Sequence, residues 1–167
     1  MLNFLFRGLT AQGQRGAALF ERVSAEARRP SWYVEGAVPD TLDGRFAVLA
    51  TITALVLVRL ERDGDGGNPA SVALTERFIA VMESEHRELG LGDPTLGKTV
   101  RKLVGMLARR VELWRSAEAT WVEATRQSMY KGAVDDAAVQ YSAGALRELA
   151  QRLDSTPLDG LEQGQIR

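Results

Sequence analysis

The run Gly92-Asp93-Pro94-Thr95-Leu96-Gly97-Lys98-Thr99 is a literal match to G-x-x-x-x-G-K-[ST], a loop that cradles nucleotide phosphates on backbone N–H groups. Such a loop needs a buried strand running into it and a helix running out of it, within a parallel sheet. Here the preceding residues carry a helical pattern, and no buried strand ends in an Asp placed to bind Mg²⁺. Pro94 also removes one of the cradling N–H groups. The match therefore reads as a glycine-rich helix break followed by a basic helix start. Glu83-Ser84-Glu85-His86 fits half of a di-iron bundle site, which takes a second Glu-x-x-His and two more inward carboxylates. His86 is the one histidine in the chain and there is no cysteine, so His-based triads, multi-histidine metal sites, thiolate ligands and disulfides are excluded. No catalytic residue, metal or cofactor is expected.

A different chemistry is suggested by the cations after the break. Lys98, Arg101, Lys102 and Arg109 share one helical face, with Arg110 and Arg115 at its flank, and Glu112 is the only acid from Lys98 to Arg115. Two arrangements fit this pattern. One is a solvated face paired with acids of neighbouring helices; the other is a docking surface for acidic protein, RNA phosphate or anionic lipid headgroups. The net charge of −1 excludes a globally basic nucleic-acid binder but not a local stripe.

The elements that position these groups all read as helices. With 167 residues, 45% hydrophobic and 26% charged, the chain suits one soluble domain with a real core. Gln14 to Arg28 is a helix that Pro30 ends. Ser31 to Asp40 is a connector in which Trp32, Tyr33 and Val34 either pin the loop to the core or form an exposed aromatic patch. Thr41 to Arg62 follows, with thirteen uncharged residues from Phe46 to Val58. A membrane span needs about twenty, so this is expected to be a central helix with others packed around it. Ser71 to Leu89 is amphipathic, with Glu83 and Arg87 at i, i+4. Beyond the glycines, Thr95 is an expected N-cap for a helix whose stripe is Val100, Leu103, Val104, Leu107, Val111 and Trp114, running on with a weak point to Met129. Asp135 or Asp136 caps a last helix. The fold class is all-α, a single helical domain of about five to six helices. Residues 1–13 form a short N-terminal segment whose Leu2, Leu5, Phe6 and Leu9 share a face, to dock on the domain or lie on a membrane. Residues 14–154 are the helical domain, and 155–167 a frayed polar tail.

Several separate motifs, in order and spacing, carry a resemblance. They are Trp32-Tyr33, then Pro39-Asp40-Thr41-x-Asp43-Gly44-Arg45-Phe46, then Leu74-Thr75-Glu76-Arg77-Phe78, then Arg87-Glu88-Leu89-Gly90-Leu91-Gly92-Asp93 and Gly97-Lys98-x-Val100-Arg101-Lys102. Over roughly residues 15 to 150 the chain resembles the ubiquinol–cytochrome c chaperone family, whose mitochondrial members assist assembly of the cytochrome bc1 complex. The resemblance implies an all-helical, non-enzymatic assembly factor whose client is newly made cytochrome b or another bc1 subunit. It further implies an untagged, bacterial-type member, cytoplasmic or peripheral at the cytoplasmic face of the inner membrane. Mitochondrial relatives work with a small partner protein near the ribosomal exit tunnel, so ribosome or membrane surface is a second candidate for the basic face. Around Leu107-Ala108-Arg109-Arg110, where relatives carry an aromatic pair and a glycine before the arginine, only Arg110 matches. A chaperone for a membrane protein needs an apolar surface beside a charged rim. Trp32, Tyr33 and Phe46 are the candidates for the first. Asp43, Arg45, Glu76, Arg77, Arg87, Glu88, Asp93, Lys98, Arg101 and Lys102 are those for the second. A nucleotide-binding enzyme built on Gly92–Thr99, or a helical adaptor, is the competing class. Mg-ATP titration separates the classes: saturable binding that is lost in Lys98→Ala is the result expected only of the enzyme.

Overall fold

The computed structural model describes residues 16–88 and 93–166, without the side chains of 86 and 93–96. Seven helices are found among them and no strand. The described part of α1 covers 16–27, followed by α2 (Leu42–Glu61), α3 (Asn68–Glu88), α4 (Asp93–Arg115), α5 (Trp121–Met129), α6 (Asp136–Ser155) and α7 (Leu158–Glu162). Short 3₁₀ turns at Pro30–Trp32, Gly64–Gly66 and Ala117–Ala119 make the corners.

Helix α2 is the axis. It begins at Thr41, whose hydroxyl accepts from the Gly44 N–H at 3.2 Å, a side-chain N-cap. Val48, Ala50, Ile52, Ala54, Val56 and Leu60 are fully buried, and α3, α4, α5 and α6 all pack against the helix. Two threonines sit in this apolar surface, and each hides its hydroxyl by donating back along the helix. Thr51 reaches the Ala47 carbonyl at 2.7 Å and Thr53 the Leu49 carbonyl at 2.8 Å. At the far end Arg59 donates to the carbonyls of Leu153 (3.1 Å) and Thr156 (3.0 Å) and to Asp63 (2.5 Å). One guanidinium thus caps the end of α6 and fixes it to α2.

The connector is tied down from both sides. Trp32 is 1% exposed and its indole N–H donates to the Glu26 carbonyl at 2.9 Å, while the Tyr33 hydroxyl donates to the Ala27 carbonyl at 2.9 Å. Gly44 lies so close to Pro39 that a Cβ there would overlap the Pro39 carbonyl oxygen. That contact requires glycine in the Asp43-Gly44-Arg45 motif. Glu26, itself 3% exposed, collects Arg29 (2.7 Å) and Arg152 (2.9 Å), with Arg22 at 3.9 Å, so α1 is joined to α6 through a buried carboxylate.

Several expectations change. The chain is not helical from the break to Met129: α4 stops at Arg115, and the turn through Ala117–Ala119 lets α5 pack back on α2 and α6. Across that corner the rings of Trp114 and Trp121 meet edge-on, 4.9 Å apart. Helix α4 begins at Asp93, so Thr95 is inside it and is not its N-cap. Asp135, not Asp136, caps α6, accepting from the Ala137 N–H at 3.0 Å. Glu83 and Arg87 do not form an ion pair. The notion of a frayed polar tail over 155–167 is corrected for its described residues. Pro157 opens α7, Leu161 is completely buried, and Ile166 is 8% exposed against the same core. Two apolar residues spaced through polar ones are a weak signal, which is why composition alone misleads here. Gly164, in the left-handed region with φ +74°, turns the chain close against Ala18 of α1. The expectations for residues 1–13 lie outside the described residues.

Leu161→Ala should cost about 2–5 kcal/mol, the range for truncating a buried leucine. In thermal unfolding this reads as a Tm drop of roughly 2–4 °C per kcal/mol. A free tail would leave the Tm unchanged.

Candidate partner interface

The phosphate-loop pattern does not survive folding. Residues Asp93 to Thr99 are wound into the first turns of α4, and the described element before them is the helix α3, so Lys98 and Thr99 belong to a helix and no cradling loop is formed among the described residues. His86 is on α3, and its side chain lies outside the described residues.

The candidate interface residues divide into three groups. Trp32 is corrected outright: an indole 1% exposed, with its N–H satisfied by Glu26, is core and cannot touch a partner. Tyr33 is half-buried against the same core. Burial pushes its phenol pKa up, opposed by the nearby charge of Arg45. Of the three bulky connector residues it is Val34 that is exposed, at 72%, and Leu42 at the start of α2 is 66% exposed. Leu42 carries no signal of this in the sequence, because a single exposed aliphatic side chain has no period.

The second group gathers where α2 begins and α4 passes over it. Phe46 is half-buried, 6.1 Å from the Phe78 ring, and the Arg110 guanidinium lies over its face at 5.8 Å. Arg110 donates to the Ser128 carbonyl in the last turn of α5 at 2.9 Å and to the Met106 carbonyl at 3.3 Å. It faces no carboxylate. Burial, followed by the charge of Arg109, pulls its pKa below the ordinary value. What holds a cation there is the negative end of α5 and the π-face of Phe46. Asp43 is exposed and bonds to Lys131 at 2.8 Å; that bond and the Lys131 charge, with Lys102 further off, hold its carboxyl below the usual range. Asp43, Phe46 and Lys102 are thus brought into one neighbourhood, and Lys131 joins them from 88 residues away. Arg45, also exposed, pairs with Asp40 at 2.6 Å.

The third group lines α3 and α4. Glu76, Arg77, Arg87 and Glu88 on α3 are exposed, as are Lys98, Arg101, Lys102 and Arg109 on α4. The Asp93 side chain lies outside the described residues. Among the described residues, Lys98, Arg101, Lys102 and Arg109 form no ion pair. Val104, expected in the core stripe, is 41% exposed among these cations. Its place in the core is taken by Leu103, Leu107 and Trp114.

Two comparisons bear on this arrangement. Residues 35–167 match the family described as Ubiquinol-cytochrome C chaperone. The chain belongs to the ubiquinol–cytochrome c chaperone family. The match extends through α7, so the C-terminal helix is a family element as well as a packed one. The fold is also that of the crystal structure of the Cbp3 homolog from Brucella abortus, with a TM-score of 0.82 and 24% identity over 99% of this chain and 95% of that one. Comparison with curated proteins finds no match. No helix among the described residues of this family member is long and apolar enough to cross a membrane.

Arg110→Ala removes two hydrogen bonds from a charged donor and the contact with Phe46. It should destabilise by roughly 2 kcal/mol. Arg110→Met, which refills the space and removes a buried charge, should cost clearly less. Equal Tm losses for the two would show that the hydrogen bonds and charge of the guanidinium, and not its packing, hold α4 to α5.

Proposed function

We propose that this bc1 assembly chaperone acts by holding newly made cytochrome b, non-catalytically, on the surface made by the connector, the start of α2 and the exposed faces of α3 and α4. The observation that carries this reading is the combination of exposed apolar groups with exposed charge, part of it without an ion-pair partner among the described residues. Val34 and Leu42, with the half-buried Tyr33 and Phe46, supply the apolar part. Asp43, Arg45, Glu76, Arg77, Arg87, Glu88, Asp93, Lys98, Arg101 and Lys102 supply the rim. Trp32 supports the connector from beneath. A client with hydrophobic segments and charged loops is recognised by such a mixed surface, since scattered apolar contacts give affinity and the charges give register. The helical winding of Asp93 to Thr99 disfavours the nucleotide-binding alternative.

A photo-crosslinker placed at Arg45 or at Arg87 in the intact cell should capture cytochrome b, while one at Arg62, exposed at the opposite end of α2, should not. Normal bc1 levels in a strain lacking the protein would refute the proposal.

A further inference from the structure

The ion pairs of this molecule are unevenly distributed. Outside α3 and α4 up to Arg110, every described arginine and lysine except Arg28 and Arg147 lies within 4.0 Å of a carboxylate. Arg147 is over the Trp121 ring at 5.6 Å. On the outward face of α4 the rule reverses: Lys98, Arg101, Lys102 and Arg109 are exposed and none has a carboxylate within that distance. These four extend over about 16 Å of a continuous helix, at 1.5 Å per residue. Between them the exposed residues are small or aliphatic, Val104 and Ala108, with no acid before Glu112.

We infer that the outward face of α4 is a docking surface for an anionic membrane leaflet. This rests on the proposed client, because a chaperone that receives a membrane protein has to work at the bilayer surface. No helix among the described residues is long and apolar enough to cross a membrane, and a row of exposed cations attaches by charge instead. A row of long cationic side chains around a small apolar strip suits a plane of headgroups, where each cation contributes independently and no fixed partner geometry is needed. Nucleic acid is the less suitable anion, because the face exposes no aromatic ring on which a base could stack. With a net charge of −1 on the whole chain, attraction to a negative surface has to come from a local cationic face such as this one, so binding also orients the molecule.

The test uses the full chain and vesicles of phosphatidylcholine with 0, 15 or 30% phosphatidylglycerol. Co-sedimentation should rise with the anionic fraction, fall with added salt, and drop by roughly several hundredfold in the quadruple variant K98Q/R101Q/K102Q/R109Q, from about fivefold per cation. The variant K98R/K102R should bind like the parent, and circular dichroism should show both variants folded. Equal binding to pure phosphatidylcholine, no binding to any vesicle, or undiminished binding by the glutamine variant would overturn the inference. So would tighter binding to single-stranded RNA or to poly-glutamate than to the vesicles. Crosslinking of cytochrome b from Arg45 or Arg87, measured separately, keeps the two proposals apart. Client captured without vesicle binding defeats only the docking surface, and vesicle binding without client defeats only the client assignment.

Discussion

A helix with no polar side has to be covered all the way round, and the burial of α2 is the constraint from which the rest of this structure follows. Its thirteen uncharged residues leave no face for water, so α3, α4, α5 and α6 are all drawn against it. The polar groups it cannot avoid are settled locally, the threonine hydroxyls along its own backbone and Arg59 at its end against the carbonyls of α6. Hydrophobic burial on this scale is non-directional. The directional work is left to a few points: the Glu26 cluster, the Gly44–Pro39 approach and Arg110 against the last turn of α5.

Those points also explain why charge is so unequally treated. Where cations join elements they are paired or capped, and where they face outward on α4 they are left alone. Arg110 belongs to the first kind although it has no carboxylate, since a helix C-terminus and an aromatic face serve in its place. Its neighbour Arg109 belongs to the second. Two adjacent arginines on one helix therefore have opposite duties, one fixing α4 to α5 and the other carrying charge to the surface.

Much of the fold was legible because its signals are periodic. The uncharged run of α2, the stripe of α3 and the stripe of α6 each repeat often enough to outweigh a stray residue. The proline at 30, the glycines about 90 and the acid at 135 place their boundaries. The α4–α5 corner was less visible, since nothing between Arg115 and Trp121 is a strong breaker; the turn follows from the need of α5 to reach α2. Trp32 shows the limit for the interface. An aromatic in a loop is equally consistent with an anchor and with an exposed patch, and only the indole N–H meeting the Glu26 carbonyl decides for the anchor. Nor could the sequence reveal that Lys131 reaches Asp43, because nothing local ties residues so far apart.

The return of the chain beyond Pro157 has a consequence for how the molecule is made. Leu161, Gly164 and Ile166 close over a core to which α1 also contributes, with Gly164 directly against Ala18. These are contacts between segments at opposite ends of the described chain. On a ribosome that releases residues in order, α2 through α6 can condense as they emerge, whereas the seat of α1 is finished only when the last of these residues has cleared the exit tunnel. The long-range closure makes the seating of the first described helix a late event in folding, so the protein passes through an interval with that helix only half covered.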